Sequence, residues 1–154
     1  MYDGFGDLQD LYQQVILDHG RNPRNFRELA QASGRADGYN PLCGDQVTVY
    51  CKLEGDCVKD VSFTGKGCAI CTASASMMTQ MIKDKPLDQV RTLFNHFHDM
   101  VTAPEEQTPS DDMGKLGVFS GVRKYPMRVK CATLPWHTLN SSLEPGTTDP
   151  VSTE

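Results

Sequence analysis

The sequence predicts an α+β fold, a small antiparallel β-sheet with helices packed on one face. Val47, Val49, Cys51 and Leu53 alternate with Thr48, Tyr50 and Lys52. That is the period-two pattern of a strand with one buried face. Other stretches repeat apolar residues every three or four positions, the helical pattern. The order is helix, then strands, then helices, which favours segregated layers over alternating parallel units.

Leu8, Leu11, Tyr12, Val15 and Ile16 share one helical stripe, predicting a helix over 7–19 that Gly20 and Pro23 end. Residues 21–40 are polar and rich in Asn, Gly and Arg, and read as a long surface connection. The strand at 47–53 is followed by the turn Glu54-Gly55-Asp56. Val58, Val61 and Phe63 then mark a second strand, completing a hairpin. Gly65-Lys66-Gly67 breaks that strand, and Ile70, Ala73, Met77, Met81 and Ile82 predict a helix that starts near Cys68. Asp84-Lys85-Pro86 separates it from a further helix lined by Leu87, Val90, Phe94, Phe97 and Val101. Residues 103–114 read as a Pro- and acid-containing loop, and Gly117 to Gly121 is ambiguous. Pro126 suits the first turn of a last helix over 126–140, which Pro135 should kink.

The chain has 154 residues and 38% apolar residues, enough for one core without disulfide staples. One domain over 1–140 is expected. Ser141 to Glu154 is rich in Ser, Thr, Pro and Glu and reads as a disordered tail. The net charge is −5, and the densest basic stretch, Arg123 to Lys130, has four cations in eight positions. It reads as a solvated helix face or a docking patch for an acidic partner, so no nucleic-acid surface is expected. No apolar run nears the roughly 18 residues of a membrane span, and the acidic first twenty residues do not form a secretory signal. A cytoplasmic location is the expectation. There, six cysteines are free, metal-bound or catalytic rather than paired.

Three cysteines stand in well-defined settings. Cys43 lies in Asn40-Pro41-Leu42-Cys43-Gly44-Asp45, where Pro41 and Gly44 force a turn and place a thiol and a carboxylate two residues apart. Cys68 comes after Gly65-Lys66-Gly67 and opens a helix, whose free N–H groups favour a thiolate. Cys131 comes after Arg128 and Lys130 in the last helix. Cys51 sits on the inward strand stripe and reads as a core residue. Cys57 reads as a bystander at the hairpin turn. Spacing alone does not join the first three, since ligands that far apart meet only through folding.

The motifs Asn40 to Asp45, Gly65 to Ile70 with Ala73 to Met78, and Gly121-Val122 with Tyr125 to Ala132 resemble the IscU/SufU (NifU N-terminal-like) iron–sulfur cluster assembly family. The resemblance runs from the first helix to about Leu139. Within the family the chain is similar to the SufU branch. The scaffold branch has His immediately before the last cysteine, where this chain has Lys130. Residues 103–121 also look like the insertion of the SufU branch.

The resemblance implies a Zn²⁺ site of Cys43, Asp45, Cys68 and Cys131, with iron or a labile 2Fe-2S cluster as the alternative occupant. It implies a sulfurtransferase that accepts persulfide sulfur on Cys43 from a PLP-dependent cysteine desulfurase of the SufS type. The sulfur then goes to machinery of the SufBCD type. Release of Cys43 from the metal would unmask it, with a desulfurase side chain in the vacated position. Arg128 matches a family residue that would orient the persulfide or the partner. The competing readings are a cluster scaffold and a structural zinc module.

Cys71 departs from the family, which has Ser or another small residue there. Cys68-Ala69-Ile70-Cys71 reads either as a tolerated Ser-like replacement or as a CxxC pair with redox chemistry. Among the histidines, His19 lies near a helix C-terminus, where an imidazolium is favoured. His96 and His98 cannot share a helix face, and His137 reads as packing. Met77, Met78 and Met81 read as core filling.

Overall fold

The computed structural model describes residues 4–104, 111–144 and 150–152, with side chains throughout except at 4–12 and 111–112. Its elements are α1 (Gly4–Arg21), β1 (Gly34–Asn40), β2 (Asp45–Glu54), β3 (Cys57–Lys66), α2 (Ala69–Ile82), α3 (Leu87–Thr102), a 3-10 segment (Asp111–Lys124), α4 (Pro126–Leu143) and β4 (Val151–Ser152). The sheet order is β3-β2-β1-β4. β1–β2 and β2–β3 are antiparallel, and β4 joins β1 in parallel. The fold is α+β, as expected.

The predicted hairpin is β2–β3, turning at Gly55 with φ +62°. Val49 pairs with Phe63 and Cys51 with Val61, so these four side chains share a face, and all are buried. Val58 is buried too, although three residues from Val61 it falls off the alternation. A register shift between Lys52 and Leu53 explains this. An extra residue in one strand flips the facing of the residues beyond it.

α4 lies against β1 and β2, α2 lies beside it against β3, and α1 covers α2. α3 packs on the 3-10 segment and α4. Phe97 stacks on Trp136 at 4.7 Å between centroids and meets Phe119 edge-on at 5.8 Å. Val90, Phe97 and Val101 are buried as predicted, with Leu93 and Met100 beside them. Met77 and Met78 fill the core. Val15 and Ile16 of the first predicted stripe pack against it, whereas Leu8, Leu11 and Tyr12 lie outside the described side chains.

Several expectations need correction. The connection over 21–40 contains β1. Its inward positions are Ala36, Gly38 and Asn40, too small or polar to register as an apolar stripe. They are small because α4 passes close. A Cβ on Gly34 would run into the Ser142 carbonyl, and one on Gly38 into Thr138 Oγ1. Residues 25–27 also contribute, as Phe63 and Phe26 bridge beside β3.

The ambiguous stretch at Gly117–Gly121 lies within the 3-10 segment, which is broken at Gly114 (φ +51°) and buries Met113, Leu116, Val118, Phe119 and Val122. The predicted loop therefore ends before Asp111, and residues 105–110 lie outside the described residues. α4 runs through Pro135 without interruption to Leu143, three residues into the expected tail. Further along that tail, Val151 and Ser152 pair with Gly38 and Tyr39.

Candidate metal centre

The β1–β2 turn, the start of β2 and the N-terminal ends of α2 and α4 meet at one place. Asn40 closes the turn. Its carbonyl accepts the N–H groups of Cys43 at 3.2 Å and Gly44 at 2.8 Å. Its side-chain oxygen accepts the Leu42 N–H at 3.2 Å, the local bond that makes Asn a turn residue. Gly44 takes φ +74°, a conformation glycine adopts at no steric cost. Asn40 and Asp45 face each other across the ladder. Cys43 is thus presented at a half-exposed tip, and Asp45 is drawn into the protein at 1% exposure.

Cys68 is the N-cap of α2, and its sulfur accepts the Cys71 N–H at 3.4 Å. The Cys68 N–H is donated to Asp45 Oδ1 at 2.9 Å, and Cys68 Sγ lies 3.9 Å from Asp45 Oδ2. Gly67 makes this contact feasible, since a Cβ there would stand 3.0 Å from Asp45 Oδ1. Cys131 is fully buried in α4, with Sγ 3.4 Å from Cys43 Sγ. Ser74 ties α2 to α4 beside it by donating to the Ala132 carbonyl at 2.6 Å.

Cys43, Asp45 and Cys131 offer ligand atoms that all lie within 4.8 Å of one another, so the group could hold a metal ion. Cys68 adjoins it through Asp45. Three thiols and one carboxylate form a donor set that tetrahedral zinc accepts.

The electrostatics agree with that use. The Cys68 thiol is lowered to about 6, first because the Cys131 thiol hydrogen-bonds to it, then through N–H groups of Cys71 and Ile70. Cys131, acting as that donor and desolvated, is pushed up. Arg128 is exposed, and its guanidinium is held above its ordinary value, first by the charge of Cys68 and then by that of Cys131. The structure therefore brings Cys43, Asp45, Cys68, Cys131 and Arg128 into one neighbourhood.

The remaining cysteines separate from it. Cys51 is a core thiol, 3.2 Å from Ser142 Oγ and pushed up to about 11 by burial. Cys57 is exposed. Cys71 is 3% exposed, and burial pushes its thiol up.

The histidines also stand apart. His19 differs from expectation. It is buried, with Nδ1 2.7 Å from Ser76 Oγ, and burial lowers its pKa, so the neutral ring is favoured over the imidazolium. His137 packs edge-on against Phe94 at 5.2 Å and His98 at 5.8 Å. Asn40 shapes the turn that presents Cys43, a role that its place in the Asn40 to Asp45 motif does not reveal.

The profile of the family described as NifU-like N terminal domain matches residues 11–132. The zinc-dependent sulfurtransferase SufU of Bacillus subtilis (strain 168) is 44% identical over 137 residues, covering 89% of this chain and 92% of that protein. The iron–sulfur cluster assembly scaffold protein IscU of Streptococcus pyogenes serotype M1 is 34% identical over 137 residues, covering 89% and 85%. The crystal structure of FiSufU, named as an iron–sulfur cluster assembly scaffold protein for the SUF system of Fervidobacterium islandicum AW-1, superimposes with a TM-score of 0.79 at 33% identity, covering 88% of this chain and 98% of that one. With the three cysteine-bearing motifs converging as they do in the fold, the chain belongs to the NifU-like N-terminal domain family, in the group of IscU and SufU proteins.

Proposed function

We propose that this chain is a zinc-dependent sulfurtransferase that takes persulfide sulfur from a PLP-dependent cysteine desulfurase of the SufS type for iron–sulfur cluster assembly. Cys43, Asp45, Cys68 and Cys131 are the zinc ligands, Cys43 is the sulfur acceptor, and machinery of the SufBCD type receives the sulfur. One observation carries the reading. Cys43 is the half-exposed thiol on a turn, while its neighbour Cys131, 3.4 Å away, is buried in a helix. The likeness to a protein named zinc-dependent sulfurtransferase, at 44% identity, supports it. So does Lys130, which stands immediately before Cys131.

Bound zinc would keep its thiol ligands deprotonated and hold the four donors together. The reaction itself belongs to the side chains. The Cys43 thiolate attacks the outer sulfur of the desulfurase persulfide. The donor's S–S bond breaks, its electron pair stays on the desulfurase cysteine, and Cys43 keeps the transferred sulfur as a terminal persulfide anion. Arg128, exposed beside Cys68 and Cys131, stabilises the anionic sulfurs and orients the incoming donor. Asp45, held by the Cys68 N–H, anchors the other wall while Cys43 engages the partner.

Metal analysis of anaerobically purified protein, coupled to a desulfurase-stimulation assay, tests this. The expected result is one zinc per chain and faster desulfurase turnover on adding the protein. A chain that carries iron and sulfide and passes an intact cluster to an apo-acceptor, without stimulating the desulfurase, would establish the scaffold reading instead.

A further inference from the structure

Cys71 is the thiol beside the centre that the proposed ligand set does not use. Cys68-Ala69-Ile70-Cys71 opens α2, with Cys68 outside the helix in extended conformation (φ −67°, ψ 169°). Its sulfur folds back over the first turn and meets the Cys71 N–H at 3.4 Å. The Cys68 sulfur therefore already rests against the backbone of residue 71. A CxxC at a helix N-terminus is the arrangement that dithiol redox chemistry uses. Access divides the two roles. Cys68 is half-buried and open to small reagents, whereas Cys71 is 3% exposed. A resolving thiol next to an accessible one is the mark of a reversible oxidation site.

We propose that Cys68 and Cys71 form a reversible disulfide with peroxide, which withdraws Cys68 from the donor set and releases the metal. The release half rests on the reading of Cys68 as a ligand. The Cys68 thiolate attacks one peroxide oxygen, the O–O bond breaks, and hydroxide leaves and is protonated to water. Cys68 is then a sulfenic acid. The Cys71 sulfur attacks the Cys68 sulfur, the S–O bond breaks, and water leaves with the Cys71 proton. Two thiols are oxidised and one peroxide is reduced to two waters. The site left behind is Cys43, Asp45 and Cys131, a donor set one thiolate short. A dithiol reductant restores Cys68 by thiol–disulfide exchange.

The test treats full-length zinc-loaded and zinc-free protein with equimolar hydrogen peroxide. Free thiols are then alkylated, the tryptic peptides are mapped without reduction, and zinc release is followed with a chromophoric chelator. Lys66 and Lys83 bracket both cysteines in one peptide. The expected product is that peptide unalkylated and two hydrogens lighter, with zinc lost and then rebound after dithiothreitol. Cys71→Ser and Cys71→Ala load zinc normally under reducing conditions. After peroxide they show Cys68 overoxidised and no recovery of zinc with dithiothreitol. Peptides cross-linked through Cys43–Cys131 or Cys68–Cys131 in the wild type would overturn the proposal. So would Cys71 variants that lose and regain zinc as the wild type does. The map needs no desulfurase, so a chain that forms this disulfide yet accepts no sulfur contradicts the sulfurtransferase reading alone. A chain that accepts sulfur and forms no such disulfide contradicts this inference alone.

Discussion

Asp45 has two tasks that different substitutions separate. One oxygen accepts the Cys68 N–H at 2.9 Å, and the other faces Cys68 Sγ at 3.9 Å. Asp45→Ala leaves a partly buried N–H without its acceptor, a loss of about 1–3 kcal/mol, and also removes a proposed zinc ligand. Asp45→Asn keeps an oxygen for the N–H and removes the charge. Denaturant melts of metal-free protein should show the Ala variant destabilised and the Asn variant close to wild type. Both should lose a zinc competition against a chelator that the wild type wins. Arg128 is predicted to act on rate alone. Arg128→Ala should keep one zinc per chain and slow sulfur loading about tenfold, or about 1.4 kcal/mol in the barrier, as read by quenched-flow loading. The cysteines and Asp45 were legible in the sequence through their motifs. Asn40 was less so, because its work is done by a turn geometry that residue type only hints at.

Among the strands and helices, β1 shows where sequence reading stops. A strand announces itself by an apolar stripe, and β1 has Ala36, Gly38 and Asn40 inward instead. Their smallness is a property of the neighbour, since α4 packs there and Thr138 and Leu134 occupy the space a side chain would fill. Gly38→Ala should therefore cost about 1–3 kcal/mol by overpacking, and Thr138→Ala in the same chain should recover part of it. Thermal melts of the two variants decide this, and a Gly38→Ala melt equal to wild type would contradict the close packing. The hairpin and the helices at 69–82 and 87–102 were legible through their periodic apolar positions, and the last helix through Pro126 at its first turn. Pro135 does not end the last helix. A helix held along its length by buried Ala132, Leu134, Trp136 and Leu139 continues past one missing N–H.

Across the fold as a body, the divided site depends on α1, α2 and α4 keeping their places. His19 joins two of these helices through Ser76. Its pKa is lowered from 6.5 by burial, as is that of His137, where His98 adds to the effect. Protonation favours the unfolded chain in both cases. Stability is therefore full above about pH 6.5 and falls as the pH drops below it, with a slope of at most about 1.4 kcal/mol per pH unit for each group. Metal-free His19→Asn should show a shallower fall than the wild type between pH 6.5 and 5, and parallel curves would contradict this linkage. The proposed role of Cys43 as sulfur acceptor has a direct test. Intact zinc-loaded protein is mixed with a PLP-dependent cysteine desulfurase and free cysteine, quenched with an alkylating reagent, and mapped by peptide mass spectrometry. The expected persulfide is on Cys43 and is lost in Cys43→Ser. Stable loading on Cys68 in the wild type, with Cys43→Ser still active, would contradict the assignment of Cys43 as acceptor.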